Sequence, residues 1–185
     1  SAGGFIGSAK EDMAQVTISK SKVQGYTITG RRSAGGAVGI WGDDSTTAAG
    51  ADGNFNHNLI LKDLSVLDCQ IESNATDGVS GGLVGHLYNA GGTEHLHPYK
   101  FSLLGYNILA KNLTFSGQSS GYICGETSFS KDNSIIKLAG FSRQGTMIEE
   151  LVGKSADASK PYGEGGYVIF ADYNDVASSN AYNDK

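Results

Sequence analysis

The sequence predicts an all-β fold, a right-handed parallel β-helix (β-solenoid) with two polar loop inserts and little helix. A glycine-bounded motif recurs at Gly3-Gly4-Phe5-Ile6-Gly7, Gly35-Gly36-Ala37-Val38-Gly39 and Gly81-Gly82-Leu83-Val84-Gly85. Two looser echoes follow, Ser102-Leu103-Leu104-Gly105 and Gly121-Tyr122-Ile123-Cys124-Gly125. Between the motifs lie stretches rich in Val, Ile, Leu and Thr. A motif returning every few tens of residues marks an architecture in which each unit buries its apolar edge against its neighbours. The right hand follows from the general rule for parallel crossover connections.

Three segments overlay on one another: residues 16–30, 59–73 and 106–117. Each reads as two short strands, a turn, and then the glycine-bounded segment, whose two central apolar residues are expected to form a strand. Stacked units lie at the strand spacing of about 4.8 Å. A sharp corner between sheets therefore needs positive φ or a missing Cβ, and Gly supplies both. The composition agrees, with 27 Gly and 2 Pro and no collagen period.

The motifs are unevenly spaced because of two polar inserts, residues 42–57 and 86–99. Inserts on a repeating scaffold emerge from one face and often carry binding. Leaving consecutive units, these two are expected to lie side by side. After residue 130 the pattern loosens. Residues 134–141 read as another strand pair, residues 146–152 as a short helix, and Gly166–Tyr173 as a strand. The solenoid domain is expected over residues 1–173, with a polar tail or linker over 174–185.

The run from Gly81 to Gly92, with Gly-Gly-Leu-Val-Gly at its head, resembles the GLUG repeat of large secreted or wall-attached bacterial proteins. Those proteins include adhesins and the non-catalytic parts of immunoglobulin-A-cleaving peptidases. The motifs at 3–7 and 35–39 are similar, and Gly166–Tyr173 is similar to segments that close solenoid domains in Gram-positive pilin-like surface proteins. The resemblance implies a non-enzymatic adhesin or stalk module at the bacterial cell surface. The alternatives are a polysaccharide lyase or glycoside hydrolase on the same scaffold, and the spacer of a secreted peptidase.

Chemistry-bearing residues are sparse. With 14 Lys and Arg against 19 Asp and Glu, the formal charge is −5, and no basic cluster suggests nucleic acid or an anionic membrane as partner. No apolar run is long enough to insert in a membrane. Gly117-Gln118-Ser119-Ser120-Gly121 matches a nucleophile elbow in spelling, but a strand rather than a helix is expected to follow, which makes it a turn. Asp43-Asp44 and Asp172–Asp175 lack the spacing of a calcium loop. Arg31, Arg32 and Arg143 leave the middle of the chain without the arginine that a lyase site would want. Cys69 and Cys124 sit in apolar strand patterns and read as small hydrophobes, with a disulfide between them left open. No cofactor and no metal site are expected.

The inserts and their flanks gather Trp41, Tyr88, His95, His97 and Tyr99, the candidate ligand-binding residues, together with His57 and His86. Such rings stack on sugar faces or anchor a protein partner, so a host glycan or host protein is the expected ligand. The chain also opens on the last strand of a unit. An upstream segment or a second chain is therefore expected to cover residues 3–18.

Overall fold

The computed structural model describes residues 1–9, 15–43, 56–89, 100–129, 136–143, 152–155 and 168–170. These residues are all-β and contain no helix. Their strands form four sheets. Sheet A holds β1 (Ala2–Gly3), β5 (Ser33–Gly35), β9 (Val79–Gly81) and β13 (Ser119–Gly121). Sheet B holds β2 (Ile6–Ala9), β6 (Val38–Asp43), β10 (Val84–Asn89), β14 (Cys124–Phe129) and β16 (Val152–Ser155). Sheet C holds β3 (Gln15–Gln24), β7 (Asn56–Leu67), β11 (Lys100–Lys111), β15 (Ile136–Arg143) and β17 (Val168–Phe170). Sheet D holds β4 (Thr27–Gly30), β8 (Gln70–Ser73) and β12 (Thr114–Ser116).

From β1 to β14 the chain visits the sheets in the fixed order A, B, C, D and stacks each pass on the one before. Every pairing among the described strands is parallel, as in Val16↔Leu59↔Leu103↔Ile136 in sheet C. This arrangement is consistent with a β-helix. One apolar core runs through the passes, with Val38, Leu59, Leu61, Ile71, Leu83, Leu103, Ile123 and Leu138 fully buried.

The glycine motif forms the corner between sheets A and B, which corrects the expectation that its two apolar residues make a strand. The first glycine ends a strand of sheet A, the second glycine and first apolar residue make the bend, and the second apolar residue opens a strand of sheet B. The N–H groups of Ala37 and Val38 both donate to the Leu83 carbonyl at 2.9 Å, and those of Leu83 and Val84 both donate to Ile123 at 3.1 and 2.9 Å. Those of Phe5 and Ile6 donate to Ala37 in the same way. A Cβ on Gly36 would overlap the carbonyl oxygen of Gly82, and one on Gly82 would overlap that of Tyr122. These glycines are held by the approach of the next pass, since their φ angles lie outside the left-handed region. Tyr122 takes the second-glycine place in the fourth motif, its ring set edge-to-face on Phe115 with centroids 5.4 Å apart.

The echo at Ser102–Gly105 is no corner. It lies inside β11, where Gly105 pairs with Leu61 and Leu138 and leaves room for the Leu138 side chain.

Left-handed residues shape sheet C. Lys20, Asp63, Asn107 and Gly140 stack at φ of 49°, 50°, 55° and 65°. At this kink the inward alternation slips by one, so Leu59 and Leu61 face the core before it and Leu64 and Val66 after it. Five residues on, Gly25, Asp68 and Asn112 stack at φ of 73°, 53° and 54° and turn the chain from sheet C into sheet D. Asn and Asp tolerate this conformation better than other non-glycine residues because their short polar side chains bond locally. The helix expected over residues 146–152 and the tail over 174–185 fall outside the described residues, except Val152, which opens β16.

The corner yields a paired prediction. Gly82→Ala drives a Cβ into backbone and should cost more than about 2 kcal/mol of stability. Gly7→Ala, whose added Cβ meets only the Ser1 carbonyl oxygen at 3.6 Å, should stay within about 0.5 kcal/mol of the parent. Urea denaturation followed by far-UV circular dichroism compares the two directly.

Candidate functional site

Three of the four corners are short. Sheets A and B are joined by residues 4–5, 36–37, 82–83 and 122–123, and sheets C and D by 25–26, 68–69 and 112–113. Sheets D and A are joined by 31–32, 74–78 and 117–118. The connections between sheets B and C behave differently, spanning 10–14, 44–55, 90–99, 130–135 and 156–167. Length variation is thus greatest at the B–C corner, from five to twelve residues, and that corner is the candidate site.

The strands fix how the inserts are mounted. Asp43 pairs with Asn89 where the chain leaves sheet B, and Asn56 pairs with Lys100 where it enters sheet C. The strands that flank the two inserts therefore lie on adjacent rungs, while residues 44–55 and 90–99, on which the expected side-by-side placement falls, lie outside the described residues. Their bounds are narrower than polarity suggested, because residues 42–43, 56–57 and 86–89 belong to strands. Near this corner Asn58 and Ser102 are buried on the face of sheet C that Ile60 and Leu104 share, away from the core side of Leu59 and Leu103, and Thr127 is buried in β14.

Trp41 is 1 % exposed and belongs to the core. Strict alternation from Val38 would turn it outward. At the third glycine of the motif the alternation slips, so residues three apart face inward together: Val38 with Trp41, Val84 with Leu87, Cys124 with Thr127. Tyr88 lies in β10 in register with Gly42 and Ser128, and His57 lies in β7 beside Phe101. His86 is half-buried in register with Ile40 and Glu126. His95, His97 and Tyr99 lie outside the described residues.

The elbow-like serines are structural. Ser119 opens β13, and its hydroxyl donates to the Gly125 carbonyl at 2.8 Å, the same bond that Ser33 makes to Gly39 at 2.8 Å. Ser80 donates to the Ser116 carbonyl at 2.6 Å. Each hydroxyl satisfies a backbone carbonyl across a corner, and a strand follows Ser119 where an elbow would need a helix. Cys69 and Cys124 are free and buried, Cys69 at the C–D corner and Cys124 in β14. Burial pushes the Cys124 thiol well up, and Glu126 adds to it, so no thiolate forms there at neutral pH. Among the described residues no group of three or more His, Cys, Asp or Glu could hold a metal ion.

Sequence reading missed the polar ladders on the outside. The Asn107 amide donates to Asp63 at 2.7 Å, and the Asn112 amide donates to Asp68 at 2.9 Å. Gln24 donates to the other Asp68 oxygen at 2.9 Å. The signal was the spacing: Lys20 and Gly25, Asp63 and Asp68, Asn107 and Asn112 each stand five apart. The Asn112 and Gln24 amides, with the Lys111 charge, hold the Asp68 carboxyl below the ordinary value of about 3.9.

A scan against models of protein families matched none of them, and searches of curated proteins and of solved structures returned no match.

The ladder predicts two outcomes at Asn112. Asn112→Gly keeps the left-handed backbone at no steric cost, so it should be more stable than Asn112→Ala by about 1 kcal/mol. Because folding lowers the Asp68 pKa, its contribution is present above the unfolded value and is lost as pH falls through the folded one. Both variants remove the amide, so their stability should fall less than the parent's between about pH 5 and pH 2, measured by urea midpoints at each pH.

Proposed function

We propose that the chain is a right-handed parallel β-helix serving as a non-enzymatic display module of a secreted or wall-attached bacterial surface protein, an adhesin or stalk. The observation that carries this reading is that the longest and most variable connections fall at one corner on successive passes. A scaffold whose other corners are short and backbone-bonded tolerates change at the fourth without disturbing its core. Long segments anchored on adjacent rungs suit recognition of an extended host glycan or protein. The resemblance of Gly81–Gly92 to the GLUG repeat supports the extracellular, bacterial setting. The structural roles of Ser33, Ser80 and Ser119 favour a scaffold over a serine-based enzyme.

The test replaces residues 44–55 and 90–99 with short Gly-Ser links and compares this variant with the parent on a printed array of host-type glycans and immobilised matrix proteins. The parent should bind a subset of the array. The variant should keep the strand spectrum and a melting temperature within about 5 °C, and lose binding at least about tenfold. Binding unchanged in the variant, or release of shortened sugars from a polysaccharide substrate by the parent, would overturn the reading.

A further inference from the structure

The chain spells the Asn-x-Ser/Thr acceptor of N-linked glycosylation twice, at Asn74-Ala75-Thr76 and at Asn112-Leu113-Thr114. The structure separates the two. A transferase has to engage the asparagine amide and the hydroxyl two residues on together, so both must stand clear of the fold. The amide nitrogen is also a weak nucleophile, its lone pair delocalised into the carbonyl, and a competing hydrogen bond holds it back further.

Asn112 fails on each count. Its backbone sits at φ of 54°, and its amide donates to Asp68 at 2.9 Å. Leu113, the middle residue, is buried in the core. Thr114 opens β12, and its N–H donates to the Cys69 carbonyl at 3.0 Å. Lifting this segment into a transferase would expose a leucine, break the amide bond and peel a strand from sheet D.

Asn74 meets the same requirements. It opens the connection 74–78, five residues long where the other D–A connections have two. Asn74 and Thr76 are exposed, and the half-buried residue between them is only an alanine. The ends of the loop are pinned. The Asn74 and Ala75 N–H groups donate to the Gly30 and Arg31 carbonyls at 3.1 and 2.7 Å, and that of Val79 to Arg32 at 2.8 Å. Between the pins the Gly78 N–H donates to the Ala75 carbonyl at 3.0 Å, which closes a turn with Thr76 and Asp77 at its tip. Even paired at 3.5 Å, the Arg32 and Asp77 side chains remain 76 % and 60 % exposed, so the tip stands in solvent. In chain order the D–A corner is two corners away from B–C, so a sugar chain here is not rooted at the candidate display site.

We infer that Asn74 is an acceptor for an N-linked oligosaccharide delivered on a polyprenyl pyrophosphate carrier, and that Asn112 of the folded chain is not. In the transfer, Nδ2 of Asn74 attacks the anomeric carbon of the first sugar. The new C–N bond forms as the bond from that carbon to the pyrophosphate oxygen breaks. The polyprenyl pyrophosphate leaves with the bonding electrons, and the amide gives up one proton to a base of the transferase. The inference rests on the geometry of these two segments and not on the display reading, so either stands if the other fails.

The test incubates the folded full chain, and synthetic peptides of residues 70–80 and 108–118, with a purified single-subunit oligosaccharyltransferase that reads Asn-x-Ser/Thr. The donor is a polyprenyl-pyrophosphate oligosaccharide, and peptide mass spectrometry maps the modified sites over time. In the folded chain Asn74 should react within about tenfold of the rate of its peptide. Asn112 should react at least about a hundredfold more slowly in the chain than in its own peptide. Thr76→Val should abolish modification at Asn74 while leaving the melting temperature within about 3 °C of the parent. An unmodified Asn74 in the folded chain, whatever the peptides do, would overturn the inference. So would an Asn112 modified there as readily as Asn74, or modification of Asn74 that survives Thr76→Val.

Discussion

Backbone must meet backbone at the A–B corner for the passes to stack, and everything else in the molecule is arranged around that contact. A single carbonyl, that of Leu83, takes two N–H groups from the pass before it, and the carbonyls of Ala37 and Ile123 do the same. A carbonyl oxygen has two lone pairs, so this satisfies two buried donors with one acceptor and leaves no polar group stranded in an apolar corner. The geometry is available only where no Cβ intervenes, at Gly36 and Gly82. Once the corners are nested, the strands on either side have no freedom of register, and Leu59, Leu103 and Ile136 fall into one row.

The opposite side of the molecule uses a different device. Sheet C is kinked at Asp63 and Asn107 and turned at Asp68 and Asn112, all in the left-handed region. There the cost of a positive φ is offset by side chains that bond along the stack, Asn over Asp, in exposed positions where glycine would add chain entropy to the unfolded state. Interior apolar rows and exterior amide ladders thus hold the same register from two sides. It is at the B–C corner that the connections lengthen most.

The parallel stacking was legible in the sequence because glycine at close approach is a spelling with one physical meaning. Its placement was less so. The motif looked like a strand bounded by glycines because Leu83 and Val84 are both apolar, yet Leu83 is apolar as a corner residue packed inward. Trp41 was read as a ring flanking an insert; alternation from Val38 would turn it outward, but the slip at Gly39 turns it into the core. Such slips occur again at Asp63 and Asn107, polar residues inside a strand pattern. The inserts themselves were visible from composition. Their bounds were not, because strand pairing such as Asp43 with Asn89 extends into polar sequence that propensity alone assigns to loops.

The most direct measurement is the pattern of scalar couplings across hydrogen bonds in the isotope-labelled chain. Nested corners require that the amides of Ala37 and Val38 both couple to the Leu83 carbonyl, and those of Leu83 and Val84 both to Ile123. Couplings from these amides to carbonyls within their own pass, or to carbonyls in an antiparallel register, would contradict the stacked arrangement.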